Sequence, residues 1–140
     1  MGIVYRVDEE AGIVFATWTG EITADVLGDF YRLVLSDKAA LSIRRSVTNI
    51  QEAKLLFTGE EFGSLIRTIV VPILKDLGWT TAIVVKERDM LQWGVSRQYQ
   101  AFAHRYSKDS IFTDEASAIA YLKGTEKAPL ATCSTPPPAS

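Results

Sequence analysis

Short apolar runs rich in β-branched residues alternate along the chain with stretches in which apolar residues recur every three or four positions. The short runs lie at residues 3–7, 13–19, 46–50, 81–85 and 111–112, and they are typical of β-strands. The stretches between and after them predict amphipathic helices. Only residues 8–12 separate the first two runs, which indicates an antiparallel hairpin closed at Gly12. The order ββαβαβαβα predicts an α/β fold with a mixed, mainly parallel five-stranded sheet and about four helices.

The predicted helices begin with recognisable capping residues. Thr23 is expected to cap the first helix. Thr58 and Glu61 have the spacing of a capping box, and Phe57 and Phe62 stand where a hydrophobic staple would close over it. The sequence therefore predicts a second helix from residue 59 onward.

Pro72 lies inside this second helical pattern, which continues to Gly78. Proline has no amide hydrogen, and its ring clashes with the carbonyl four residues earlier. We therefore expect a kink or two shorter helices, ending at Gly78 because glycine tolerates the left-handed backbone of a helix end.

Length and composition are those of one globular domain. The chain has 140 residues, of which 47% are hydrophobic and 23% charged, with a net charge of −2. That charge balance does not favour a nucleic-acid surface, and no apolar run is long enough for a membrane span. We predict one α/β domain over residues 1–124, a disordered tail over 125–140, and a cytoplasmic location.

Four short motifs, in this order, resemble those of STAS domains, and within them the SpoIIAA-like family. The motifs are Gly20-Glu21-Ile22-Thr23 after the second strand, the strand Ala82-Ile83-Val84-Val85, Trp93-Gly94-Val95-Ser96-Arg97 in the following helix, and Ile111 to Leu122 at the end. The resemblance spans residues 3–123. It implies a non-enzymatic binding or regulatory module.

The sequence departs from the family at one functional point. STAS antagonists carry an Asp-Ser-Ser/Thr-Gly motif before the second helix, where a partner kinase phosphorylates the serine. Here Thr48-Asn49-Ile50 is followed by a longer loop to Thr58-Gly59, without an Asp-Ser pair. The phosphorylation switch is therefore not carried over, and Thr58 merely holds a comparable place.

Residues for catalysis or metal binding are sparse. His104 is the single histidine and Cys133 the single cysteine. No nucleophile elbow, phosphate loop or Cys/His metal spacing accompanies them. We expect no catalytic residues, no metal and no cofactor; the alternative is a small enzyme with an unusual site near His104 and Arg97.

The residues predicted to contact a ligand are Trp93, Arg97, Tyr99 and Thr58. Trp93 and Arg97 are one helical turn apart, so the indole and the guanidinium share a face and could hold an anionic or planar ligand. Thr58 at a helix start could receive a phosphate, although a simple capping role is favoured.

The sequence thus favours a binding or regulatory module that recognises a protein partner or a small, largely apolar and conceivably anionic ligand. A structural homodimer is a further alternative. Tyr31 and the run Ile69–Leu74 place apolar groups around more of their helices than one sheet face can cover, which predicts self-association or a ligand groove.

Overall fold

The computed structural model describes residues 2–124. Residues 125–140, for which the sequence predicts a disordered tail, lie outside the described residues, as does Cys133. The strands are β1 (Gly2–Asp8), β2 (Ile13–Ile22), β3 (Arg45–Leu55), β4 (Trp79–Val84) and β5 (Ser107–Phe112). The helices are α1 (Ala24–Val34), α2 (Lys38–Ile43), α3 (Gly59–Leu65), α4 (Val71–Leu77), α5 (Met90–Ala103) and α6 (Glu115–Gly124), with a π-helical turn (Ile66–Val70) joining α3 to α4.

The strands of this range form one sheet in the order β1-β2-β3-β4-β5. β1 is antiparallel to β2, and each later pair is parallel. The predicted mixed, mainly parallel five-stranded sheet is therefore confirmed. Gly12 has a φ of 69° and closes the hairpin, because its amide donates to the Asp8 carbonyl in a left-handed turn that glycine adopts without strain.

Two strands are longer than their apolar runs suggest. β3 continues to Leu55 and β5 begins at Ser107, where polar residues hide the strand pattern. The sequence pattern also misses α2, whose six residues are too few to show a helical period; Asp37 caps it by accepting from the Ala39 amide at 3.0 Å.

The predicted helix starts are confirmed. Thr58 accepts from the Glu61 amide at 3.0 Å, and the Glu61 carboxylate accepts from the Thr58 amide at 2.8 Å. The Phe57 and Phe62 rings stack above this box, with centroids 5.3 Å apart. Thr23 caps α1 by accepting from the Val26 amide.

The second helical region is divided, as Pro72 predicts. Pro72 cannot donate the bond that an α-helix would direct at the Thr68 carbonyl. The helix widens into the π-helical turn just before it, and the Val71 amide donates to the Ile66 carbonyl. Gly78 ends α4 with a φ of 76°.

Hydrophobic residues on the two faces of the sheet form two separate clusters. α1, the α3–α4 region and α5 cover one face, hereafter the broad face, where Trp18, Leu27, Phe62 and Leu74 belong to the larger cluster. α6 packs on β3, β4 and β5 from the other side, hereafter the narrow face. The smaller cluster there contains Ile13, Val47, Ala82, Val84, Ala118 and Leu122. β2 contributes to both clusters, as its doubly apolar sequence predicts.

Candidate functional site

The broad face contains a partly open cavity of about 80 Å³ between the sheet and its helices. Inward side chains of β2, β3 and β4 form its floor, and α1, α5 and the α3–α4 region supply its walls. Aromatic and aliphatic groups dominate the lining, including Trp18, Phe30, Phe62, Val70 and Leu74. No described residue that lines it carries a charged side chain. The cavity is therefore a mostly apolar site with a few hydroxyl and indole groups.

A row of polar side chains crosses the floor of this region. The parallel registers place Ser46 beside Thr81, and Thr81 beside Asp109, on three neighbouring strands. Neighbouring strands lie about 4.8 Å apart, so side chains in one row can contact one another. Ser46 Oγ donates to Thr81 Oγ1 at 3.3 Å and accepts from Trp79 Nε1 at 3.0 Å. Hydroxyl groups thus connect the cavity floor to the carboxyl group of Asp109.

Asp109 is the acidic group of this row. Its Oδ1 accepts from Ser107 Oγ at 2.5 Å, whereas its buried Oδ2 has no hydrogen-bond partner among residues 2–124. Burial raises the pKa of Asp109 to about 7, and hydrogen bonds from Ser107 and Thr81 counteract that rise. The group therefore changes its charge near neutral pH.

The Asp109 carboxylate affects the pKa values of two tyrosines in the cavity wall. Burial, followed by the negative charge of Asp109, raises the pKa of Tyr99 well above its ordinary value. The same two causes raise the pKa of Tyr31. Both phenols therefore stay neutral and available as hydrogen-bond donors over the physiological pH range.

The tryptophan indoles differ in whether their N–H groups have a hydrogen-bond partner within the fold. Trp79 Nε1 donates to Ser46, and Trp93 Nε1 donates to the Glu87 carbonyl at 3.0 Å. Trp18 Nε1 is buried and has no partner within the described part of the chain. Ser96 Oγ, on α5, is likewise buried and has no hydrogen-bond partner among the described residues. Both residues line the cavity.

Gln92 shows that the fold does satisfy buried polar groups close to this place. It lies one helical turn before Ser96 on α5. Its amide nitrogen donates to the Gln51 and Ala53 carbonyls, each at 3.3 Å, and its oxygen accepts from the Lys86 amide at 2.8 Å. These bonds tie α5 to an irregular stretch of β3 beside Trp18, where the β2–β3 register shifts. Such irregularities re-aim side chains and are frequent near binding sites.

The structure separates the four predicted ligand residues. Tyr99 is on the cavity wall. Trp93 and Arg97 meet on the outer surface of α5, where the Arg97 guanidinium carbon lies 5.6 Å from the Trp93 ring centroid, and neither lines the cavity. Thr58 is engaged in the capping box of α3.

His104 stands apart from these residues. It is exposed at the end of α5 beside a shallow polar groove that also includes Arg44, Tyr106 and Lys108. Its Nδ1 lies 3.2 Å from the Ala101 carbonyl oxygen. Across the described residues, no group of three or more His, Cys, Asp or Glu side chains could hold a metal ion.

Sequence reasoning missed the cavity residues Trp18, Ser46, Thr81 and Ser96, and also Asp109. One signal was present: Ser46 and Thr81 are hydroxyl residues at inward positions of otherwise apolar strands. Asp109 gave no signal, because the polar segment that contains it resembles a loop until its pairing with β4 is known.

Comparisons with known proteins identify the fold. Neither models of protein families nor curated proteins match the chain. A solved structure does match: an uncharacterised protein from the DUF3478 family with a SpoIIAA-like fold, from Shewanella loihica PV-4. The TM-score is 0.60 at 16% sequence identity, over 86% of this chain and 94% of that one. The resemblance predicted from the sequence motifs is therefore confirmed for the fold. Within residues 2–124, no helix has the length and apolar character needed to cross a membrane.

Proposed function

We propose that this protein is a binding module that takes up a small, largely apolar ligand in the cavity of its broad face. The observation that carries the proposal is the cavity itself, an apolar space of about 80 Å³ inside the larger hydrophobic cluster. Protein interiors are normally packed as densely as organic crystals, with few voids larger than one water molecule. A void of this size costs stability, and binding a ligand would offset that cost.

The volume and lining limit what the cavity accepts. An apolar cavity of about 150 Å³ holds benzene or xenon. By the same proportion, 80 Å³ suits a xenon atom or a compound of about three to four non-hydrogen atoms. A larger apolar ligand would have to displace a wall.

The wall best suited to such a displacement is the π-helical turn and the start of α4. Val70 and Leu74 line the cavity on either side of Pro72. π-helical turns break the regular hydrogen-bond pattern and occur frequently at functional sites. Movement of this region on ligand entry would change the adjacent surface, and a binding module could report its occupancy to a partner in this way.

Xenon binding tests the proposal directly. We expect the ¹²⁹Xe resonance to shift in the presence of the protein, because xenon exchanges into apolar cavities. Ala16→Val should abolish that shift. Ala16 lines the cavity floor, and valine adds two methyl groups in a strand position that suits a β-branched side chain. Thr17→Val is the matched control, because Thr17 is exposed on the same strand.

The two variants also separate cavity filling from damage to the fold. Filling a cavity commonly stabilises a protein by about 0.5–2 kcal/mol, so Ala16→Val should unfold at the same or a higher temperature. A xenon shift that persists in Ala16→Val, or that is absent from the unaltered protein, would refute the proposal.

A further inference from the structure

We infer that the ligand of this cavity is electrically neutral and carries an oxygen that accepts a hydrogen bond from Trp18 Nε1. The inference rests on the proposed function and names the chemical class of its ligand: small ketones, aldehydes, alcohols or ethers with a compact apolar body. It is drawn from two unsatisfied polar groups and from the absence of charge around them.

Trp18 supplies the first observation. Its side chain is 4% exposed, and its indole N–H has no hydrogen-bond partner among residues 2–124. An indole N–H can only donate. Leaving such a donor unpaired inside a protein is unfavourable, because the group loses its hydrogen bond to water without gaining another, so an acceptor inside the cavity would recover that free energy.

Ser96 supplies an independent observation from the helical wall of the cavity. It lies on α5, whereas Trp18 lies on β2, and it is 1% exposed. Its hydroxyl likewise lacks a partner in the described range, although the fold satisfies Gln92 one turn earlier on the same helix. Two residues that carry a buried polar atom without a partner, one on the floor and one on the wall, therefore line the same apolar space.

Charge in the surroundings argues against an anionic ligand. None of the described lining residues is basic, so a buried carboxylate would have no counter-charge. Asp109 is close enough to influence the titration of both Tyr31 and Tyr99, and its negative form would repel an anion. A neutral oxygen meets the donor requirement of Trp18 without that penalty.

Three compounds with the same arrangement of four non-hydrogen atoms test the inference: isobutane, acetone and acetate. Isobutane is purely apolar, acetone adds one neutral acceptor, and acetate adds a charge. In ¹H–¹⁵N spectra, acetone should move the indole N–H signal of Trp18 downfield, and isobutane should not. The signals of Trp79 and Trp93 are internal controls, because both indoles already donate to protein oxygens.

Affinities measured by the same titrations provide the second test. Trp18→Phe should lower the ratio of acetone to isobutane affinity by about threefold to tenfold, which corresponds to the loss of one neutral hydrogen bond. Ser96→Ala should lower the same ratio. Trp93→Phe, which removes an indole outside the cavity, should leave it unchanged. Using a ratio corrects for the volume that each substitution adds to the cavity.

The outcomes separate this inference from the proposed function. If xenon, isobutane and acetone all fail to bind, the proposed function fails and the inference fails with it. If isobutane binds while acetone leaves the Trp18 signal unmoved, or if Trp18→Phe leaves the ratio unchanged, only the inference is overturned. Acetate that binds as tightly as acetone would overturn the assignment of a neutral ligand.

Discussion

Helices cover the two faces of the sheet in different ways. On the narrow face, α6 alone covers the strands, and Ile13, Val47, Ala82, Ala118 and Leu122 are all 0% exposed. On the broad face, the α1, α3–α4 and α5 regions cover the sheet, yet they leave a cavity with unpaired polar groups on its lining. The same strands serve both faces, so the difference arises from which residues alternate inward on each side.

This difference is the one that the proposed binding function requires, with one face packed for stability and the other keeping space for a ligand. Small and β-branched residues on the narrow face allow α6 to approach the sheet closely. On the broad face, aromatic residues such as Trp18 and Phe62 line the space between the sheet and the helices, and the hydroxyl groups of Ser46 and Thr81 stand on its floor. Departures from full packing and full hydrogen bonding tend to occur at functional sites, where other parts of the fold compensate for them.

Truncation of one leucine on each face should give the largest measurable contrast. Leu122 is fully buried against the narrow face, and Leu74 is equally buried but borders the cavity. A side chain beside a void has fewer atomic contacts to lose. We expect Leu122→Ala to lower the free energy of unfolding by about 3–5 kcal/mol and Leu74→Ala by about 2–3 kcal/mol, both within the range for buried leucines.

Denaturant unfolding of both variants measures the contrast, and xenon binding provides its control. Leu74→Ala should bind xenon more tightly in the broad-face cavity because it enlarges that cavity, whereas Leu122→Ala should leave the affinity of that cavity for xenon unchanged. Equal losses of stability from the two substitutions would contradict the packing difference between the faces.

Asp109 should make the broad face sensitive to pH. Its pKa is raised by burial from 3.8 to about 7, so the folded state holds a proton that the unfolded state releases between those values. Stability therefore falls as the pH rises from about 4 to about 7 and then levels off. The contribution is at most about 4 kcal/mol for a shift of this size.

Asp109→Asn removes this titration while preserving the shape of the side chain. Thermal unfolding should show that the variant gains stability relative to the unaltered protein between pH 4.5 and pH 8. Asp8 and Asp37 have lowered pKa values, and their contributions are lost only at lower pH. Parallel melting curves for the two proteins over this window would show that Asp109 is not the group responsible.

The sequence predicts most of the fold because local rules and global packing agree there. The Thr58–Glu61 capping box, the break near Pro72 and the turn at Gly12 each depend on a few neighbouring residues, and each is confirmed. Strand ends are less predictable. Polar residues such as those at the start of β5 join a sheet only because a neighbouring strand pairs with them.

The cavity could not be predicted from the sequence for a related reason. Trp18, Ser46, Ser96 and Tyr99 come together through the register of β2 with β3 and the packing of α5 on the sheet, neither of which has a local sequence signature. Trp93 and Arg97 are neighbours by helical spacing alone, and that is the one contact among the predicted ligand residues that the sequence could place. Tyr99 lies on the same helix but points to the cavity side.

Thr58→Ala should produce a smaller effect on the broad face, confined to stability. The capping box satisfies two backbone groups at the start of α3, and loss of such a cap costs about 1 kcal/mol. Equilibrium unfolding should detect this loss, while xenon and acetone bind as before. Thr58→Ser, which keeps the hydroxyl, is the matched control. Unchanged stability together with lost binding would instead assign Thr58 to a ligand site.

Arg97→Ala should have the smallest effect of all. Arg97 is exposed, and its guanidinium lies over the Trp93 ring; such contacts at the surface contribute about 0.5–1 kcal/mol. We expect a loss of stability within that range and no change in the affinity of acetone, because the side chain does not border the cavity. Arg67→Ala is the matched control, since the Arg67 guanidinium lies over Phe102 at 5.4 Å in a similar exposed contact.

The sequence-based alternative, in which Arg97 pairs with an acidic ligand, predicts a different result. A loss of tenfold or more in acetate affinity for Arg97→Ala, with none for Arg67→Ala, would place an anion site on the outer surface of α5 and remove the functional contrast between the two faces of the sheet.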